Sequence, residues 1–248
     1  MDDIVKLADI LHKSKNIVFF GGAGMSTESG IPDFRSSKGL YNQKLGRQFS
    51  PEEMVSHSFF LDHTEGFYSF YREHLIYPQA RPNDGHKALA QLERQGKLKA
   101  VITQNIDGLH QLAGSTNVIE LHGSVLRNYC MECHEAYDAA YVVEHRPVPC
   151  CKACGGIVKP DVVLYEEPLD NELLEKAVRA IGEADTLIIG GTSLVVYPAA
   201  GLIKYFRGQN LVIINKDTTK ADEDADLVIH DSIGKVLKSA VEKAFREM

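Results

Sequence analysis

The chain has 248 residues, 44% of them hydrophobic and 25% charged, an average globular composition that excludes extended disorder. Its 27 Lys and Arg against 34 Asp and Glu leave a net charge of −7 with no basic block, which argues against nucleic acid as a partner. Five Cys are too few, and odd in number, for an oxidised framework, so reduced thiols and a cytoplasmic location are expected.

The acidic start Met1-Asp2-Asp3 lacks the layout of a signal peptide. Ile4, Leu7, Ala8 and Leu11 then recur at helical spacing, and the apolar run Ile17 to Phe20 ends in Gly21-Gly22, which predicts a helix followed by a strand. Residues 34–77 break this rhythm: they are rich in aromatics and carry no strand-like run, so a loop followed by helices is expected. Apolar runs resume at Ala100 to Ile102 and Val118 to Leu121. Residues 124–157 break it again, holding every Cys together with the turn formers Pro147, Pro149, Gly155 and Gly156. A helix is expected over Glu172 to Ile181, and another over Ile233 to Phe245. Strands are expected at Thr186 to Ile189, Leu211 to Ile214 and Leu227 to Ile229. Thr186 to Ile203 is uncharged, but Gly190, Gly191 and Pro198 make it strand, turn and helix start, not a membrane span. Runs apolar on both faces and separated by helices indicate an α/β fold built on a parallel sheet. The expected division is a sheet domain of residues 1–33, 78–123 and 158–248. A helical insertion, 34–77, and a metal module, 124–157, would together make a small domain, with a ligand cleft between the two domains.

Cys130-x-x-Cys133 and Cys151-x-x-Cys154, with 17 residues between them, have the spacing of a four-thiolate zinc site. Four thiolates leave no open position, so one structural zinc ion is expected, fastening a module with little apolar content. Cys150 could take the place of Cys151, and His134 or His145 that of one sulfur; spacing favours Cys151. The haem-attachment pattern Cys130 to His134 leaves the second pair unexplained, and neither pair follows a strand as a redox dithiol would.

Gly21-Gly22-Ala23-Gly24-Met25-Ser26 follows the first strand. A glycine turn leading into a helix N-terminus offers backbone N–H groups and a positive dipole end to a pyrophosphate. The match to G-x-G-x-x-G is imperfect, since Thr27 stands at the third glycine, and a tight turn alone is the plain alternative. Two further strand ends, Gly190-Gly191-Thr192-Ser193 and Ile214-Asn215, favour a nucleotide. Gln104-Asn105-Ile106-Asp107 and His122-Gly123 also lie at strand ends. There His122 is a candidate general base, while Asp107 either serves a substrate or caps the helix that follows.

Taken together these motifs resemble the sirtuin family of NAD-dependent protein deacylases over nearly the whole chain. Gly22 to Arg35 is similar to the family's cofactor loop almost residue for residue. Gln104 to Asp107, His122-Gly123, both Cys pairs, Lys159 to Val163 and Gly191 to Leu194 follow in the family's order. The resemblance implies a Rossmann-like domain with a small domain made of a helical insertion and a zinc ribbon. It places Ala23, Thr27, Phe34 and Arg35 along the NAD site, and Gln104, Thr192, Ser193 and Asn215 at ribose and phosphate groups. Ile233 would lie at the adenine. Asn105, Ile106 and Asp107 would form the nicotinamide pocket, with His122 as general base. The implied reaction is ADP-ribosyl transfer: the acyl oxygen attacks the ribose C1′ as nicotinamide leaves, yielding free lysine and O-acyl-ADP-ribose. The acylated peptide would lie as a strand between Val163, Leu164 and Tyr165 on one side and Val195 on the other. ADP-ribosylation of a protein acceptor and a non-catalytic NAD-sensing module are the competing expectations; the oligomeric state is not legible.

Two positions depart from the family. Members that prefer succinyl or malonyl groups carry Tyr-x-x-Arg in the helical insertion; here Tyr68 is followed at that spacing by Tyr71. Arg72, one residue late, is turned by about 100° on a helix. An uncharged acyl group, acetyl first, is therefore expected. Tyr165-Glu166-Glu167 stands where aromatic-Gly-Glu is common, so the peptide groove is expected to differ there.

Overall fold

The computed structural model describes residues 2–34, 39–40 and 49–245. Strands lie at Ile17–Gly21 (β1), Leu98–Thr103 (β2), Val118–Glu120 (β3), Gly123–Cys130 (β4), Ala136–Tyr137 (β5), Val158–Val162 (β6), Thr186–Gly190 (β7), Asn210–Ile214 (β8) and Leu227–Ile229 (β9). Helices lie at Asp3–Lys13 (α1), Pro51–Met54 (α2), His57–Asp62 (α3), Thr64–His74 (α4), Asp84–Arg94 (α5), Leu109–Leu112 (α6), Ala139–Glu144 (α7), Asn171–Glu183 (α8) and Ile233–Ala244 (α9).

The large sheet has the order β3-β2-β1-β7-β8-β9, and its pairings are parallel. Its continuous apolar runs follow from burial on both faces. Phe19, Val101, Ile188 and Val212 pack with Leu7 and Leu11 of α1, Leu89 of α5 and Leu237 of α9. Val18, Phe20, Ile102 and Ile189 point the other way and pack with Ala177 and Ile181 of α8. Each such large side chain contributes about 1.5–3 kcal/mol by leaving water. The helix over α5 was not singled out in the sequence; its start is set by Asn83, whose side chain accepts the Gly85 and His86 N–H groups.

A second, antiparallel sheet has the order β5-β4-β6. It reaches past the Cys-rich stretch at both ends, taking in Gly123 and Val158–Val162. The aromatics of α3 and α4 supply its core: Phe60, Phe67, Tyr68, Phe70 and Tyr71 are buried with Val125, Val142, Val158 and Val162. Arg72 fastens the same contact, its guanidinium donating to the Val142, Pro147 and His145 carbonyls, each at 2.8 Å.

Candidate active site

The sheet order places β1 beside β7, and the chain runs outward from this pair toward both edges, which makes their carboxyl ends a topological switch point. The helix expected after β1 is a 3-10 helix over Ala23–Ser29. It lies directly on the turn after β7: the Gly24 N–H donates to the Gly191 carbonyl at 2.8 Å, and the Gly22 N–H to the Gly190 carbonyl at 3.3 Å. Glycine is required for that approach. A Cβ on Gly24 would stand 2.7 Å from the Gly191 Cα, and Gly191 adopts φ +60° with the Met25 backbone nitrogen where its own Cβ would go. The tight-turn reading and the nucleotide-cradle reading thus describe the same two loops. Substituting Gly191 by Ala is expected to force them apart and raise the KM for NAD about tenfold or more, because strain and collision fall on backbone atoms. An unchanged KM would show that the contact does not shape the site.

At the end of β2 a short polar relay forms. The Asn105 side chain donates to Ser26 Oγ at 3.1 Å, and Ser26 Oγ donates to Asp107 Oδ2 at 2.6 Å. Asp107 Oδ1 accepts the Leu109 N–H at 2.9 Å. The capping and the functional readings of Asp107 are therefore both satisfied, one oxygen each. Burial pushes its carboxyl up, against the pull of Ser26 and the Leu109 amide. Ser26 was missed in the sequence because a hydroxyl within a glycine loop reads as solvation; only the fold brings it to Asp107.

His122 follows β3, and its Nδ1 lies 3.0 Å from the Gln104 carbonyl. A carbonyl only accepts, so Nδ1 carries the proton and Nε2 keeps a free lone pair. Burial holds the imidazole below its ordinary pKa, opposed by the Gln104 bond, so it is neutral at pH 7. The Gln104 side chain turns to the other loop and donates to Thr192 Oγ1 at 3.2 Å. Thr192 also accepts the Leu194 N–H at 3.2 Å, while Ser193 is exposed beside it. The Asn215 side chain donates to the Asp217 carbonyl at 2.8 Å at the end of β8. Ile233 opens α9 and is buried in the sheet core, against Gly190. Thr27 donates to the Gly24 carbonyl at 3.0 Å within the loop. Ala23 and Ile106 are half-buried, and Phe34 packs on the small-domain core. Arg35 lies outside the described residues.

Two further residues anchor the glycine loop. The Asn83 side chain donates to the Met25 carbonyl at 2.8 Å and to Ser29 Oγ at 3.0 Å. Glu28 accepts the Gly234 N–H at the start of α9 at 2.9 Å.

Among the residues expected along the peptide, the Val163 N–H donates to the His122 carbonyl at 3.1 Å. Tyr165 is paired with the helical insertion, its N–H donating to Val55 and its carbonyl accepting from His57, at 3.1 and 3.0 Å. Leu164 donates its N–H to Glu167 and is buried. Val195 is exposed and follows Leu194, whose φ is +54°. Tyr68 donates its hydroxyl to the Val158 carbonyl, so neither it nor Arg72 is free for an acyl carboxylate.

The zinc expectation resolves in favour of Cys151. Cys130, Cys133, Cys151 and Cys154 place their sulfurs within 4.8 Å of one another. Neighbouring sulfurs are 3.4 to 3.5 Å apart, close to the separation of about 3.8 Å that tetrahedral bonds of about 2.3 Å impose. The Tyr137 hydroxyl donates to Cys151 Sγ at 3.2 Å and holds that thiol down at about 6. Cys154, despite the Gly156 amide, is pushed up to about 12 by Cys130 and Cys133. Four ionised sulfurs at this spacing repel, and a dication is what lets all four deprotonate. Cys150 Sγ turns away toward the Val148 carbonyl.

The Sir2 family pattern matches residues 22–198. An NAD-dependent protein deacetylase of Clostridium perfringens (strain 13 / Type A) is 66% identical over 244 residues, covering 98% of this chain and all 100% of the relative. The chain belongs to the Sir2 family. Among solved Sir2 structures, a Sir2 homolog–NAD complex is 38% identical, with 96% of this chain and 93% of that chain covered and a TM-score of 0.85. A Sir2 complex with a deacetylated p53 peptide and 3′-O-acetyl ADP ribose is 39% identical, with 96% of each chain covered and a TM-score of 0.86. No described helix of this Sir2-family chain is long and apolar enough to cross a membrane.

Proposed function

We propose that this Sir2-family chain is an NAD-dependent protein lysine deacetylase, converting acetyl-lysine proteins or peptides to free lysine with release of nicotinamide and O-acetyl-ADP-ribose. The observation that carries the reading is the tautomer imposed on His122 by the Gln104 carbonyl, which leaves Nε2 as a neutral base, with the Asn105–Ser26–Asp107 relay starting at the residue after Gln104. NAD supplies, when bound, an ADP-ribosyl group with nicotinamide as its leaving group. The glycine cradle supports this fit, since a Cβ on Gly22 or Gly24 would fill the space between the two loops. Ala23, Thr27, Phe34 and Arg35, with Gln104, Thr192, Ser193, Asn215 and Ile233, are the residues we assign to NAD. Asp107, its two oxygens held in place by Ser26 and Leu109, would present a carboxylate to the nicotinamide end of bound NAD and favour positive charge there. Asn105 and Ile106 line the same pocket. His122, protonated at Nδ1, would accept a proton at Nε2 from a hydroxyl of the bound sugar. Val163, Leu164, Tyr165 and Val195 are assigned to the peptide, which would be held mainly through its backbone.

We retain the division into a Rossmann-like domain and a small domain, supported by the single core that α3, α4 and the three-stranded sheet share. The free thiols fit a reducing cytoplasm.

One peptide carrying acetyl- or succinyl-lysine, incubated with and without NAD and read by mass spectrometry, tests the reading. Acetyl loss that depends on NAD is expected. Succinyl loss should be slower by about tenfold or more, because Arg72 is held on three carbonyls and does not meet the acyl carboxylate. Acetyl loss at full rate without NAD would overturn the function; equal turnover of the two acyl groups would overturn the acyl preference.

A further inference from the structure

The loop that carries Tyr165 continues through Glu166 at φ +75°, a left-handed conformation that glycine adopts freely and other residues at some cost. What holds it there is a carboxylate clasp on the start of α3. Glu166 Oε2 accepts the Ser58 N–H at 2.8 Å and the Ser58 hydroxyl at 2.6 Å. Next to it, Glu167 closes the same turn from inside. It accepts the Leu164 N–H at 2.9 Å, lies 2.8 Å from His57 Nδ1 and pairs with Lys159 at 3.1 Å, while its own N–H donates to the Leu164 carbonyl. Together with the Tyr165 pairing to Val55 and His57, the bonds to His57 and Ser58 tie residues 165–167 to the helical insertion, while Lys159 links Glu167 to β6.

We propose that the Ser58–Glu166 clasp is a positioning device for the acylated peptide: it docks the 164–167 turn on the helical insertion, so that Val163 to Tyr165 offer a preformed edge. The inference rests on the placement of the peptide along Val163 to Tyr165 made above. A residue other than glycine at position 166 then has a physical reason, since the carboxylate replaces conformational freedom with a fixed anchor. Among the described residues the hydrogen bonds of Glu166 run to Ser58 and not to the glycine cradle, His122 or the Asn105–Ser26–Asp107 relay, so its effect falls on peptide binding and leaves the proton transfer alone.

Steady-state kinetics with an acetylated peptide test this on Glu166→Ala, Glu166→Gly, Ser58→Ala, Ser58→Thr and the Ser58→Ala/Glu166→Ala double variant. Loss of the clasp is expected to raise the KM for peptide about three- to tenfold, with kcat and the KM for NAD near their starting values. Ser58→Ala removes only the hydroxyl bond and keeps the Ser58 N–H donor, so its effect should be the smaller; the double variant should be no worse than Glu166→Ala, which already breaks both bonds. Ser58→Thr, which keeps the hydroxyl, should restore binding. Glu166→Gly is the deciding variant: it relieves the left-handed backbone but removes the carboxylate. A peptide KM raised as in Glu166→Ala supports the clasp; a KM at or below that of the unaltered enzyme overturns it, as do additive effects in the double variant. If the unaltered enzyme removes no acetyl group in the presence of NAD, the proposed function fails before the clasp is addressed.

Discussion

Replacing His122 by Ala is expected to lower kcat for deacetylation by about 10²- to 10⁴-fold, the usual worth of a positioned general base. NAD affinity, read by calorimetry, should change little, because the cradle is built by the Gly24–Gly191 contact and the Gln104–Thr192 bond, neither of which involves the imidazole. The pH profile gives the same assignment a second test. Burial lowers the His122 pKa, so the neutral base persists into acid, and kcat/KM should fall only below the usual histidine value of about 6.5. An acid limb well above that value would remove His122 from the role. Folding must be followed alongside, since His86 and His110 are buried and held neutral, at about 4 and about 3 respectively. Their depressed values mean that the unfolded chain binds more protons below about 6.5, so stability declines as the pH falls through that range.

Removing zinc is the second large effect. Metal analysis should return one zinc ion per chain. Cys151→Ser should lose it and Cys150→Ser should keep it, since only Cys151 stands in the sulfur quartet. Structural zinc sites of this type contribute about 10–16 kcal/mol of apparent binding free energy, much of it folding free energy. Here the consequence extends beyond the ribbon. Cys130 and Cys151 are buried in the same core as Phe67, Tyr68 and Tyr71, and the Tyr137 and Arg72 contacts close on the same module. Chelation should therefore abolish the near-ultraviolet dichroism of these tyrosines and deacetylation together. A zinc-free protein with an unchanged melting midpoint and full activity would show the site to be dispensable.

Local chemistry was legible where it sits in consecutive residues. The apolar runs gave the parallel sheet because strands covered on both faces have no polar side to alternate. The Cys spacing gave a four-thiolate site because two ligands per tight turn leave a recognisable interval. His122, Gln104 to Asp107 and Gly191 to Ser193 could be picked out as strand-end residues. Less was legible wherever partners lie far apart in the chain. Ser26 bonds to Asp107 across 81 residues and Asn83 reaches Met25 across 58, and neither residue type is distinctive at its position. The α5 helix was overlooked for a similar reason, its cap being a lone Asn.

The sequence by itself determined the fold class and a four-ligand zinc site, with Cys150 against Cys151 and a His for one sulfur left open, and it marked out the stretches that carry the family resemblance. The tertiary structure decided which sulfur completes the quartet, which nitrogen of His122 holds the proton, and where Arg72 and Glu166 spend their charges. The division has a physical reason. Propensity, periodicity and ligand spacing are properties of short segments, whereas a hydrogen bond's direction and a side chain's availability depend on which distant carbonyl or hydroxyl the fold brings within about 3 Å.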